Sequence, residues 1–170
     1  MSSRIFLVGL MGSGKTHWGK RIAKLYSWKF VDLDKMIEEK EGMRISEIFE
    51  KRGEPYFRAL EKKCLEELTA FSNVVIAAGG GAPCFHNNMQ LMNSLGKTYY
   101  LKARIETLIP RLLHQMNERP LLKGKTKNEL PAFFTEQLIQ REPFYLQASH
   151  VIEVEKLSEE NLKEFFLKNN

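Results

Sequence analysis

Cysteine is scarce in this chain: Cys64 and Cys84 are the two in 170 residues. Two are too few for a disulfide framework, and free thiols in a reducing compartment are expected. Long apolar runs are missing too; none approaches the ~20 residues that a membrane span needs. Arg4 followed by Ile5-Phe-Leu-Val8 opens like a signal peptide. Gly12, Ser13, Gly14 and Lys15 interrupt the apolar stretch at once, so a cytoplasmic protein whose first strand starts immediately is expected. There is no internal repeat, low-complexity tract or interdomain linker. Charge of one sign is nowhere dominant: 26 Lys and Arg stand against 21 Asp and Glu, a net +5. Such a mild excess suits small anionic substrates or nucleic acid without choosing between them.

The hydrophobic fraction is 43% and the charged fraction 28%, ordinary for a globular chain. The length fits one domain, here 1–170. Short apolar runs alternate with longer amphipathic ones. Strands are expected at Ile5–Val8, Phe30–Asp32, Val74–Ala78, Thr98–Leu101 and Val151–Val154. Helices are expected over Gly14–Tyr26, Asp34–Glu41, Ile45–Lys51, Glu54–Phe71, Asn87–Leu95, Ile105–Met116, Pro131–Arg141 (ended by Pro143) and Ser158–Leu167, capped by Ser158. That alternation predicts an α/β fold: a five-stranded parallel sheet between two helical layers. The polar stretch 118–128 reads as a flap with little to bury.

Gly9-Leu-Met-Gly12-Ser13-Gly14-Lys15-Thr16 fits G-x-x-x-x-G-K-[ST] in full, between a buried strand and a helix. Glycines there let backbone N–H groups cradle phosphate oxygens, and the helix N-terminus adds its partial positive charge. Lys15 reaches the β- and γ-phosphates, and the Thr16 hydroxyl is placed to ligate magnesium. Nucleoside triphosphate binding follows. The phosphate acceptor does not.

Further residues bear on the acceptor. Asp32 and Asp34 follow a strand; read as extended chain, both carboxylates point the same way. One carboxylate suits magnesium and the other a general base, or else Asp34 caps the next helix. Arg58 lies at the edge of the apolar stripe Phe57, Leu60, Cys64, Leu68, flanked by Glu54 and Glu61. It is either a structural ion pair or a rigid carboxylate fork. Arg141 shares the apolar face of Phe134 and Leu138, so it either snorkels outward or meets a ligand. Gly79-Gly80-Gly81 after a buried strand is a plain turn or a place where a ligand meets backbone amides. Arg119, before Pro120, is a solvated arginine or one that swings onto the phosphates.

Taken together, the phosphate loop, Asp32-Leu-Asp34, Arg52-Gly-Glu-Pro-Tyr-Phe-Arg58, Gly79-Gly-Gly81, Arg119-Pro-Leu-Leu122 and Arg141-Glu-Pro-Phe-Tyr145 resemble the shikimate kinases in order and spacing, from Arg4 to about Val154. The resemblance implies a P-loop fold of the nucleoside monophosphate kinase type, with an acceptor-binding region about 33–61 and a lid about 113–128. It implies ATP-dependent phosphorylation of the 3-hydroxyl of shikimate, in aromatic amino acid biosynthesis. By motif it makes Asp34 the base and a ligand of substrate hydroxyls. Arg58, Arg141 and the Gly80 amide become carboxylate holders, with Gly79 and Gly81 as further substrate contacts. Gly12, Ser13, Gly14, Lys15, Thr16, Arg111 and Arg119 become ATP contacts, with Arg111 packed on adenine. Thr16, and Asp32 through water, would hold Mg2+. The implied partners are ATP and shikimate, with no nucleic acid and no membrane, and the chain a monomer. The family leaves metal holding to these residues; accordingly, the strand ending at Ala78 carries no acid. The loop Glu155-Lys-Leu-Ser158 lacks the proline the family pattern has there. Two rivals stay open: another small-molecule kinase, for gluconate or a nucleotide, and a non-catalytic nucleotide-binding regulator acting on nucleic acid.

Overall fold

The computed structural model describes residues 3–113, 122 and 124–167. Its strands are β1 (Arg4–Val8), β2 (Lys29–Asp32), β3 (Val74–Ala77), β4 (Lys97–Lys102) and β5 (His150–Glu153). Its helices are α1 (Lys15–Tyr26), α2 (Leu33–Glu41), α3 (Ile45–Glu67), α4 (Asn88–Leu95), α5 (Ile105–Leu112), α6 (Leu130–Tyr145) and α7 (Leu162–Leu167). All five strands run parallel in the order β2-β3-β1-β4-β5. β1 and β3 are buried almost throughout, as runs of Ile, Phe, Leu and Val should be when helices cover both faces.

The topology fixes where ligands go. From β1 the chain moves outward to β2, returns to β3, then crosses β1 to build β4 and β5 on the other side. The carboxyl ends of β1 and β3 therefore flank the point where the winding reverses, where open sheets form their binding crevice. The loops there are the phosphate loop and Gly79–Gly81.

Five elements differ from the sequence expectation. α2 begins at Leu33, because Asp32 caps it by accepting from the Lys35 N–H at 3.4 Å. Asp34 thus lies in a first helical turn, and the extended Asp-x-Asp reading is wrong in its geometry. α3 takes in both expected helices, broken at Gly53, whose φ of +80° only glycine adopts readily; it ends at Glu67 in a 3-10 turn, Leu68–Ala70. α6 runs through Pro143 to Tyr145. The bond that Pro143 cannot donate would go to the carbonyl of Ile139, a residue 72% exposed on the outer side of the helix. β5 lies one residue earlier than expected, and Val154 opens a 3-10 turn, Val154–Lys156. α7 starts at Leu162, because Ser158 and Asn161 bond each other and close a turn instead of starting the helix. Of the expected Ile105–Met116 helix, residues 114–116 lie outside the described residues, as do residues 118–121 and 123 of the flap, Arg119 among them.

Both cysteines are free, and burial pushes each thiol's pKa up, that of Cys84 to about 11. No helix among the described residues is long and apolar enough to cross a membrane.

Candidate active site

A cleft of about 770 Å³ opens at the carboxyl ends of β1, β2 and β3. One half is the phosphate loop. Gly12 and Gly14 have φ of +81° and +93°, a curl that an L side chain resists. A Cβ on Gly12 would also press into Leu112 at 2.9 Å. Ser13 is wholly buried under the loop. Lys15 Nζ donates to the carbonyls of Gly9 (2.7 Å) and Leu10 (2.9 Å), so the ammonium is held against its own loop. Thr16 Oγ1 donates to Asp32 Oδ2 at 2.7 Å. From α5, Arg111 Nη1 donates to the Gly12 carbonyl at 3.1 Å. Nothing in the residue pattern singles out Arg111; the fold brings it onto the loop.

The other half gathers Asp34, Arg58, Glu61 and Arg141 around the three glycines. Here none of the glycines needs a positive φ. What they supply is room. A Cβ on Gly79 would run into Asp34 Oδ1; one on Gly81 would lie 2.7 Å from both terminal nitrogens of Arg58; one on Gly80 would touch Arg141 Nη1 at 3.5 Å. The close approach expected at this backbone is made by the chain's own charged side chains. Tyr145 braces the turn by donating its hydroxyl to the Gly80 carbonyl.

Arg58 is 6% exposed. Its Nε and Nη2 donate to Glu54 Oε1 at 3.0 and 2.9 Å, and its Nη1 donates to Glu61 Oε2. A guanidinium has five N–H donors. Three are used, so Nη1 and Nη2 each keep one. Arg58 is both the structural ion pair and a cation with two N–H donors left for an incoming carboxylate.

Burial lifts the Glu61 carboxyl to about 7, against the opposing pull of Arg58; the nearby Asp34 charge lifts it further. Its folded pKa therefore stands above the unfolded value of 4.5. That contribution to stability is fully present below pH 4.5 and is lost as pH rises through about 7. Urea unfolding from pH 4.5 to 7.5 should show the wild type losing stability relative to Glu61→Gln, by a few kcal/mol in order of magnitude. Parallel curves for the two proteins would remove Glu61 as the titrating group.

Some lining residues escaped the sequence. Phe57 was visible only as core, and Phe49 and Arg44 carried no signal, since neither breaks a pattern; all three line the cleft.

The shikimate kinase family model matches residues 11–168. The chain belongs to the shikimate kinase family. It is 48% identical over 158 residues to the shikimate kinase of Parabacteroides distasonis, covering 93% of this chain and 91% of that protein. The crystal structure of shikimate kinase from Bacteroides thetaiotaomicron superposes with a TM-score of 0.91 at 41% identity, covering 98% of this chain and 99% of that one. Shikimate kinase from Acinetobacter baumannii, solved in complex with shikimate, gives 0.89 at 35% identity, covering 99% and 93%. Membership in this family bears out the P-loop kinase fold and decides against both rival readings.

Proposed function

We propose that this chain transfers the γ-phosphoryl group of ATP to the 3-hydroxyl of shikimate, giving shikimate 3-phosphate and ADP in aromatic amino acid biosynthesis. The observation that carries the reading is the pairing, in one cleft, of a phosphate loop with Arg58, Arg141 and Asp34 around Gly79–Gly81. A cyclic hydroxy acid needs those groups: cations for its carboxylate and an acceptor for the proton of its attacking hydroxyl.

The mechanism is positioning and charge stabilisation, since phosphoryl transfer leaves a protein little covalent work. Gly12, Ser13 and Gly14 present backbone amides to the phosphates. Lys15 exchanges its loop carbonyls for the β- and γ-oxygens. Arg111 enters from α5; Arg119, outside the described residues, is assigned to the phosphates by the family motif alone. Arg58 and Arg141, with the Gly80 amide, receive the shikimate carboxylate. Asp34 takes the 3-hydroxyl proton as the oxygen attacks phosphorus.

The residues present suit Mg2+: the Thr16 hydroxyl and the Asp32 carboxylate stand hydrogen-bonded beside the loop, oxygen donors of the kind a hard cation takes. Thr16 would hold the ion directly and Asp32 through water; when bound, it offsets charge on the phosphate oxygens. The partners in this reading are ATP and shikimate, with a monomer as the acting species and no nucleic acid or membrane involved.

ADP release with ATP and magnesium, with and without shikimate, tests the reading, gluconate and nucleoside monophosphates serving as rival acceptors. Turnover that ignores shikimate overturns it. Arg58→Ala should raise the shikimate KM roughly a hundredfold with a smaller change in kcat. An unaltered KM would leave Arg58 a structural ion-pair member only.

A further inference from the structure

The edges of the Arg58 guanidinium are held by Glu54 and Glu61. Its faces make no hydrogen bonds; the Gly81 backbone and aromatic rings approach the group instead. Phe57 and Phe49 lie 5.2 and 6.0 Å from the guanidinium carbon, and both belong to α3, like Arg58 itself. Phe85 lies nearer, at 4.2 Å, and comes from the segment between β3 and α4. We infer that Phe85 is a positioning residue: its ring covers one face of Arg58 and sets the two spare N–H donors for the acceptor carboxylate.

Two independent features argue that this placement is built. Phe85 is 36% exposed, too much for a residue that serves the core. The chain also turns sharply after it: His86 and Asn87 have φ of +52° and +58°, successive left-handed residues that persist only where their surroundings impose them. The turn is tied down behind, where the Asn88 N–H donates to the Phe85 carbonyl at 2.9 Å and buried Asn88 Nδ2 donates to the Ala82 carbonyl at 3.0 Å. Phe85 is thereby held over Arg58 while α4 begins at Asn88. An aromatic face attracts the cation and keeps water off it. Water on that face would screen Arg58 from its ligand and free the head to tilt.

The inference rests on the shikimate reading. Phe85→Leu keeps the bulk and removes the π face. It should raise the KM and Kd for shikimate roughly three- to tenfold, with kcat and the Kd for ADP unchanged. Phe85→Tyr should restore the wild-type KM. In an Arg58→Ala background Phe85→Leu should add nothing, because the ring acts through Arg58. Wild-type shikimate affinity in Phe85→Leu, or an equal loss with and without Arg58, overturns the inference alone. No shikimate binding by the wild type overturns the functional reading, and this inference with it.

Discussion

Asp34→Asn is expected to lower turnover by at least about two orders of magnitude while ADP binds as before. Asparagine keeps the shape of the side chain at its place against Gly79 but cannot take a proton. The phosphate loop is made by other residues, and the nucleotide should not register the change. Glu61 should: Asp34 is one of the charges holding its proton on, so without it the Glu61 carboxyl titrates lower. Calorimetric ADP binding and steady-state rates check the first part; a spectroscopic titration of Glu61 checks the second. Near-normal turnover in Asp34→Asn would remove Asp34 as the base and leave it a ligand of substrate hydroxyls.

What the sequence revealed of this site, and what it hid, has a physical pattern. The phosphate loop was legible because its chemistry is local: eight consecutive residues contain the glycines, the lysine and the hydroxyl. Arg58 and Arg141 were legible as anomalies, charges on faces that hydrophobic spacing assigns to the core. The sheet was legible because β1 and β3 are uninterrupted apolar runs. Boundaries failed where a side chain competes with backbone hydrogen bonding. Asp32 starts α2 one residue early, and Asn161 delays α7. Pro143 misled because loss of its N–H matters little two residues from the end of α6, opposite the exposed Ile139. The packing of the acceptor half was not legible at all. That Gly79 meets Asp34, Gly81 meets Arg58 and Gly80 meets Arg141 depends on β3 lying beside β2 and on α6 packing against the turn. The spacing of three glycines encodes none of that.

That packing makes Gly79→Ala the more pointed test of how the site is built. The backbone at Gly79 lies outside the left-handed region, so alanine is tolerated there without strain. The added methyl, though, would overlap Asp34 Oδ1 and lie 3.1 Å from Glu61 Oε1. Glu61 is buried and tied to Arg58, whereas Asp34 sits in the first turn of α2 at the edge of the cleft. Asp34 is the group that moves. Displacing the base by about an ångström costs on the order of a hundredfold in rate, so kcat should fall to about a hundredth while global stability changes little. Gly81→Ala presses instead on both terminal nitrogens of Arg58, and its effect should fall on the shikimate KM. Steady-state kinetics beside urea unfolding separates the two: kcat lost at position 79, KM raised at position 81, unfolding midpoints near wild type for both. If Gly79→Ala keeps its kcat, the carboxylate has room the geometry denies it, and Asp34 is not held for catalysis by this turn.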